Sequence, residues 1–273
     1  MKKPILLLIG LFSILVLNAQ QLTYPFNDLQ PSEPGIYYTN KDVDPVNVLL
    51  IRDYLAWNCN GNLQFLLGLG ANVTVIPTSA IATHDFSPYC LIVIEGELTS
   101  NAPVISSNVA KFEAYVGAGG TMEIHASTQG ANVTLPGGVI SNFSLVTTNL
   151  VANPGHPIAA GIPSPFIGSL ASHNYFTNLL PGTIIITTTN TQQPTTIEYT
   201  YGNGMITATG CTYEAYYCWG GPIGDLNRNN LTYSVMNCNL PINPDTVPLS
   251  PWAIAIALVL ILGATVLRYK RIL

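Results

Sequence analysis

The residues of this sequence best suited to acid–base or nucleophilic work each follow closely on a short apolar run. Arg52 and Asp53 follow residues 46–51, and Glu95 and Glu97 follow 91–94. His125 and Ser127 come after 121–124, and Glu214 comes after 205–210. An open parallel sheet places its ligand crevice beyond the carboxyl ends of its strands, so strands at these runs would bring the side chains together. Glu95, His125 and Glu214 are the candidate acid–base set, because an imidazole with an ordinary pKa of about 6.5 can carry a proton at neutral pH beside a carboxylate. A histidine after an apolar strand is more often a packed residue bonded to a carboxylate or a carbonyl. Ser127 is a candidate binding residue but lacks the G-x-S-x-G setting and the positioned base that a nucleophilic serine needs. Tyr213 and Tyr216, with Tyr217 and Trp219, form an aromatic cluster that could stack on a sugar ring or simply pack a subdomain. His156 is expected to shape the turn before Pro157, and His84 and His173 are expected on surface loops. His125, His156 and a glutamate are a conceivable metal set, but no H-x-H or H-E-x-x-H pattern supports it. No metal or other cofactor is expected.

The elements that would position these groups are legible in part. The uncharged run 46–51 suits a strand buried on both faces; residues 63–69 have helical spacing and end at Gly70. Residues 73–76 and 91–94 read as further strands. Ser106 and Ser107 offer a helix N-cap, with Val109, Phe112, Ala114, Tyr115 and Val116 on one face. Gly117 to Gly120 would end that helix before a strand at 121–124. Short apolar strands alternating with helices imply an α/β sandwich, a mostly parallel sheet with helices on both faces. Past Gly130 the pattern turns to β: 183–189 is β-prone, 195–201 and 205–209 suggest a hairpin around Gly202-Asn203-Gly204, and 219–230 reads as a Gly- and Asn-rich loop.

This order of elements resembles the class I glutamine-amidotransferase-like fold, within it the trehalose-utilisation-protein-like branch. The matching residues are Val48-Leu49-Leu50-Ile51 as first strand, 66–70 before Ala71-Asn72-Val73-Thr74-Val75, Leu91-Ile92-Val93-Ile94 as central strand, and 112–120 leading to Ile124-His125-Ala126. Gly155-His156-Pro157-Ile158-Ala159-Ala160-Gly161-Ile162 is similar to the His-Pro-Ile-x-x-Gly-Leu phrase of that branch. The resemblance implies a flavodoxin-like three-layer sandwich with a β-rich second half. It also places a cysteine nucleophile in a G-x-C-x-G elbow after the strand that here ends at His125. Ala126 is the best counterpart of that nucleophile, and alanine cannot attack a carbonyl. The expectation is therefore a non-catalytic domain serving binding or envelope architecture, with a carbohydrate-active hydrolase using Glu95, His125 and Glu214 as the alternative.

The two ends speak of location. Lys2 and Lys3, an apolar run over 4–17 and Asn18-Ala19-Gln20 have the layout of a cleavable secretory signal. Near the C-terminus an uncharged run over 253–267 follows Trp252 and is closed by Arg268-Tyr269-Lys270-Arg271. That suits a single membrane span with its basic end cytoplasmic. Val247-Pro248-Leu249-Ser250-Pro251-Trp252 resembles the opening of PEP-CTERM-type sorting tails, in the Ile-Pro-Thr-Leu-Ser-x-Trp-Gly variant, although the threonine and the glycine are missing. That resemblance implies processing by an exosortase-type membrane protease and display in a bacterial envelope or on the cell surface. The expected organisation is a signal at 1–20, an extended leader at 21–45, the ectodomain at 46–245 and the sorting tail at 246–273.

Between these ends four Lys and Arg stand against fourteen Asp and Glu, a formal charge of −10. Such a surface repels phosphate backbones, so nucleic acid is not an expected partner; a carbohydrate or a surface protein is. Cys59, Cys90, Cys211, Cys218 and Cys238 have no zinc-site spacing, and in an exported chain they predict one or two disulfides with one thiol left over. Cys211 with Cys218, or Cys218 with Cys238, are the expected pairs. Cys90, inside an apolar strand, is expected to be a buried thiol.

Overall fold

The computed structural model describes residues 45–96, 102–128 and 130–238. The expected signal, most of the leader, Glu97 and the C-terminal sorting tail lie outside the described residues. Among the described residues no helix is long and apolar enough to cross a membrane.

Five strands form the parallel part of the sheet: β1 (Asn47–Ile51), β2 (Asn72–Ile76), β3 (Leu91–Ile94), β4 (Thr121–His125) and β10 (Gly204–Thr209), in the order β2-β1-β3-β4-β10. The runs of β1 and β3 are apolar because both faces are covered, which removes the alternation expected of a half-solvated strand, whereas β2 is an edge strand with most of its residues partly or fully exposed. On one face Leu49, Ile51, Ile92, Ile94, Met122 and Ile124 meet Ala102 and Ile105 of α2 (Ala102–Ser107) and Phe112 and Val116 of α3 (Val109–Gly117). On the other, Val48, Leu50, Leu91 and Val93 meet Leu66 of α1 (Gly61–Gly68) and Leu231 and Val235 of α5 (Pro222–Cys238).

Beyond β10 the sheet turns antiparallel, through β9 (Pro194–Tyr201), β8 (Ile184–Thr189), β6 (Ile140–Val151) and β5 (Val133–Thr134), with β7 (Phe166–Thr177) also on β6. The expectation of a mostly parallel sheet therefore holds for the first half only, and the sheet is mixed. The hairpin of β9 and β10 around Gly202-Asn203-Gly204 forms as its turn residues require.

Two local expectations fail for physical reasons. Ser106 and Ser107 lie at the end of α2 rather than capping α3. Ser106 Oγ accepts the Thr134 N–H at 3.1 Å, and the Ser107 hydroxyl donates to the Val104 carbonyl at 3.0 Å. Residues 219–230 are not a loop. They fall in α4 (Tyr213–Trp219), a Gly220-Gly221 turn, and the first half of the 17-residue α5. The inward stripe of α5 is Ile223, Leu226, Asn227, Asn230, Leu231, Ser234 and Val235. Polar residues at three of those positions hide the helical period that hydropathy would otherwise reveal.

Tertiary structure also overturns the cysteine pairing. The disulfides are Cys59–Cys218 and Cys90–Cys238, and Cys211 is the buried free thiol. Both bridges tie the parallel half of the sheet or its first loop to the two C-terminal helices, across 159 and 148 residues. Loops that long make each bridge worth about 4–5 kcal/mol in the chain-entropy limit, commonly less in practice. Cys90→Ser with Cys238→Ser should lower unfolding free energy by about 2–4 kcal/mol in urea denaturation. In the intact protein, alkylation followed by peptide mapping should find one reactive thiol, on Cys211, and only after denaturation.

Candidate functional site

His125 is the last residue of β4, and Glu123 precedes it by two, so both side chains stand on the face of the sheet that α5 covers. His125 Nε2 donates to Glu123 Oε1 at 2.7 Å, and Nδ1 donates to Glu214 Oε1 at 2.6 Å. All three side chains are fully buried. Glu214 lies in the first turn of α4, entering from the far end of the chain. Its Oε1 also accepts the Gly96 N–H at 2.8 Å and Asn62 Nδ2–H at 3.2 Å. Asn62 in turn accepts a bond from Asn227 of α5 at 2.8 Å. The Tyr213 ring stands edge-on to the imidazole at 5.1 Å.

Burial alone would push the His125 pKa down. The Glu214 charge and the bonds to Glu123 and Glu214 outweigh it and raise the imidazole to about 10. Burial likewise pushes Glu214 up, but the His125 charge and bond, with the Gly96 N–H, bring it below the ordinary carboxylate value. The imidazole is thus a fixed cation rather than a group poised to exchange protons near neutrality. Glu95 is different. It follows β3, is 1% exposed, and is raised to about 8 by burial and by the Glu214 charge, against an opposing pull from Arg52. The Arg52 guanidinium stands 3.6 Å from Glu95 Oε1 while making its 2.6 Å bond to Asn60.

Gly96 makes this arrangement possible. A Cβ there would lie 2.6 Å from Ser127 Oγ and 2.9 Å from Glu214 Oε2, so only glycine lets the strand-end backbone reach the carboxylate. Trp57 packs against the same spot, and with Asn58 it adopts φ of 48° and 56°, a left-handed conformation uncommon for side-chain-bearing residues.

The structure brings Glu95, His125, Ser127 and Glu214 to one strand-end cluster, as the sequence led one to expect. Asp53 turns away and binds the Thr78 N–H and hydroxyl at 2.9 and 2.7 Å. Tyr213 is wholly buried against His125 and offers no ring to a ligand, whereas Tyr216 is half-buried. His156 shapes its turn, accepting the Ile158 N–H at 3.2 Å, and pairs with Glu198 rather than with His125. His173 is not on a surface loop: it lies buried on β7, bonded to the Thr128 carbonyl and edge-on to Trp57. Among the described residues no three His, Cys, Asp or Glu side chains are placed to hold a metal ion.

Sequence reasoning missed Glu123, Asn62 and Asn227. Glu123 was recoverable, since a glutamate two residues before a histidine in an otherwise apolar strand must share its face. The two asparagines gave no comparable signal.

No protein-family profile matches the chain. It is 25% identical over 197 residues to an uncharacterized protein of Clostridium acetobutylicum, covering 69% of this chain and 20% of that protein. The chain therefore spans about a fifth of the length of the curated relative it matches. Solved structures of similar architecture include a cytoplasmic protein of Salmonella typhimurium LT2, with a TM-score of 0.51, 11% identity, and 69% of this chain and 99% of that one covered. A glutamine amidotransferase of Thermotoga maritima aligns with a TM-score of 0.45, 10% identity, and 72% and 97% coverage. At these identities the likeness is one of fold alone, an α/β domain with a mixed, partly parallel sheet.

Two outcomes test this description of the site. Native Glu95 keeps its proton up to about pH 8, whereas the unfolded chain releases it near 4.5, so this residue makes stability fall as pH rises between those values. Glu95→Gln should therefore be more stable than the wild type at pH 8.5, by on the order of 3 kcal/mol, with the gap closing toward pH 4.5. His125→Phe should destabilise the fold by about 3–5 kcal/mol at pH 7 in the same denaturation assay, because it strands two buried carboxylates.

Proposed function

We propose that this chain is an exported envelope protein, attached or sorted through its C-terminal tail, whose glutamine-amidotransferase-like domain binds a partner without catalysing a reaction. One observation carries the non-catalytic part: both ring nitrogens of His125 are held by buried carboxylates, leaving neither to serve as a base. Ala126 follows directly, fully buried and with its N–H on the Thr209 carbonyl. The chain runs on from there to β5 without a helix and without a positive φ at residue 126, so the sharp strand-to-helix turn that exposes a nucleophile is not formed. Ser127 is buried two residues beyond a histidine that has no free nitrogen.

Export is supported by the layout of the two ends of the sequence and by the two disulfides, which are consistent with an extracytoplasmic protein. Binding is supported by the outer face of α4. Trp219 is 54% exposed and stands edge-on to Tyr216 at 5.6 Å, and Ile167, on the strand that Tyr216 packs against at Gly168, is 67% exposed. The Tyr216 hydroxyl meets Ser169 at 3.4 Å over Gly168, which leaves no room for a side chain beneath it. An indole, an isoleucine and neutral hydroxyls suit the apolar face of a sugar ring.

The test uses the full-length chain with its disulfides intact, assayed for hydrolysis of glutamine and of a panel of glycosides and titrated with soluble glycans by tryptophan fluorescence. The expected outcome is no turnover above buffer, with a saturable glycan response weakened at least about tenfold by Trp219→Ala, a loss typical of removing an aromatic binding anchor. Turnover that disappears in Glu95→Gln or Glu214→Gln would overturn the non-catalytic reading in favour of an acid–base hydrolase. A glycan response that Trp219→Ala leaves intact would remove the sugar face from α4.

A further inference from the structure

The hydrogen bonds of the buried cluster meet on Glu214, which accepts from His125 on one side and from Asn62 on the other. The Glu214 carboxylate can only accept, so it orients the Asn62 amide with its N–H₂ inward and its carbonyl toward α5. That carbonyl takes the Asn227 N–H₂ at 2.8 Å, which leaves Asn227 Oδ1 as the end of the line. At the opposite end Glu123 commits Oε1 to His125. Glu123 Oε2 and Asn227 Oδ1 are both buried acceptors with no protein partner among the described residues.

Further along α5, and on β10 beside Glu123, the buried side chains are also polar. Asn230 and Ser234, three and seven residues beyond Asn227, continue its stripe on α5, where that helix crosses β3 and β4. Thr207 of β10 stands opposite Glu123 in the β10–β4 register, on the same face of the sheet. Asn230, Ser234 and Thr207 are all fully buried, and each has a side-chain oxygen without a protein partner among the described residues, as has the Asn230 amide nitrogen. The flanks of the stripe are settled differently. Leu231 and Val235 pack on Leu91 and Val93, while Asn229 binds the carbonyls of Ile158 and Ala160. The polar stripe is therefore a confined layer between apolar packing on one side and a satisfied amide on the other.

Its chemistry calls for something positive. The two fixed ends accept only, and a single imidazolium lies between two carboxylates, so the buried cluster carries no surplus of positive charge to neutralise them. Hard cations take oxygen donors, and divalent ones usually gather several carboxylates or keep a shell of water. One carboxylate with two amide oxygens and two hydroxyls matches a singly charged ion. We propose that the layer between α5 and the sheet is a binding site for a monovalent cation, alkali or ammonium. Its oxygen donors are Glu123 Oε2, Asn227 Oδ1, Asn230 Oδ1, Thr207 Oγ1 and Ser234 Oγ. The ion clamps α5 onto β4 and β10, independently of what the outer face of α4 binds.

Thermal unfolding of the full-length, disulfide-intact chain tests this, in sodium, potassium, ammonium and choline chloride at equal ionic strength. At least one small cation should raise Tm over choline by about 3–6 °C, saturably with concentration, as a ligand bound only by the folded state does. Glu123→Gln should abolish that dependence. Asn230→Asp, which adds a second carboxylate to the same layer, should lower the half-saturating concentration at least several-fold and serves as the check if Glu123→Gln does not fold. Equal melting in all four salts would mean that the layer holds water only and would overturn the proposal. So would an ion dependence that survives both substitutions unchanged.

Discussion

The Glu123–His125–Glu214 line is the constraint around which the rest of this fold is arranged. An imidazolium with a carboxylate at each nitrogen tolerates removal from water only if every partner is held in place, because an uncompensated buried charge costs several kcal/mol. Each partner comes from a different part of the chain. Glu123 and His125 ride on a central strand, Glu214 on α4 some 89 residues beyond His125, and Gly96 and Asn62 come from the loop after β3 and from α1. The two disulfides then tie α4 and α5 to the first half of the domain, Cys218 to Cys59 beside α1 and Cys238 to Cys90 before β3. Electrostatics and covalent chemistry thus fasten the same helices to the same strands.

That arrangement changes what a strand-end crevice can do. In open α/β sheets the carboxyl ends of the strands are where ligands bind, and the chemistry-bearing side chains are indeed gathered there. Here the chain's own glutamates occupy both imidazole nitrogens, and alanine follows the histidine. The charged side chains of the site bind one another and hold helices on a sheet, and exposed aromatic and aliphatic side chains, Trp219 of α4 and Ile167 and Leu170 of β7 among them, lie elsewhere on the surface. Glu95, held protonated near neutrality beside a buried carboxylate and an arginine, keeps the local negative charge from rising further.

Much of this was legible from residue order. The strands β1 to β4, the helix ahead of the glycines near 120 and the β9–β10 hairpin were readable because doubly buried strands are short apolar runs and turns announce themselves by glycine and asparagine. Convergence of Glu95, His125 and Glu214 followed from their places after those runs. The helix α5 was not readable, because Asn227, Asn230 and Ser234 stand where apolar residues would mark its inner face. The cysteine pairs were not readable either, since sequence proximity favours Cys211 with Cys218, and the true partners meet only after the C-terminal helices cross back over the first strands.

The sequence by itself determined the α/β class, the strand-end positions of the chemistry-bearing residues, an alanine directly after His125 and the acidic balance of charge. These are properties of local pattern and composition. Only the tertiary structure decided that His125 is a locked cation and that Tyr213 and His173 are interior. It also decided that Cys59 and Cys90 bond to helices near the far end of the described domain. Charge state, burial and disulfide pairing depend on which distant residues become neighbours, and in this chain those neighbours lie roughly 90 to 160 residues apart.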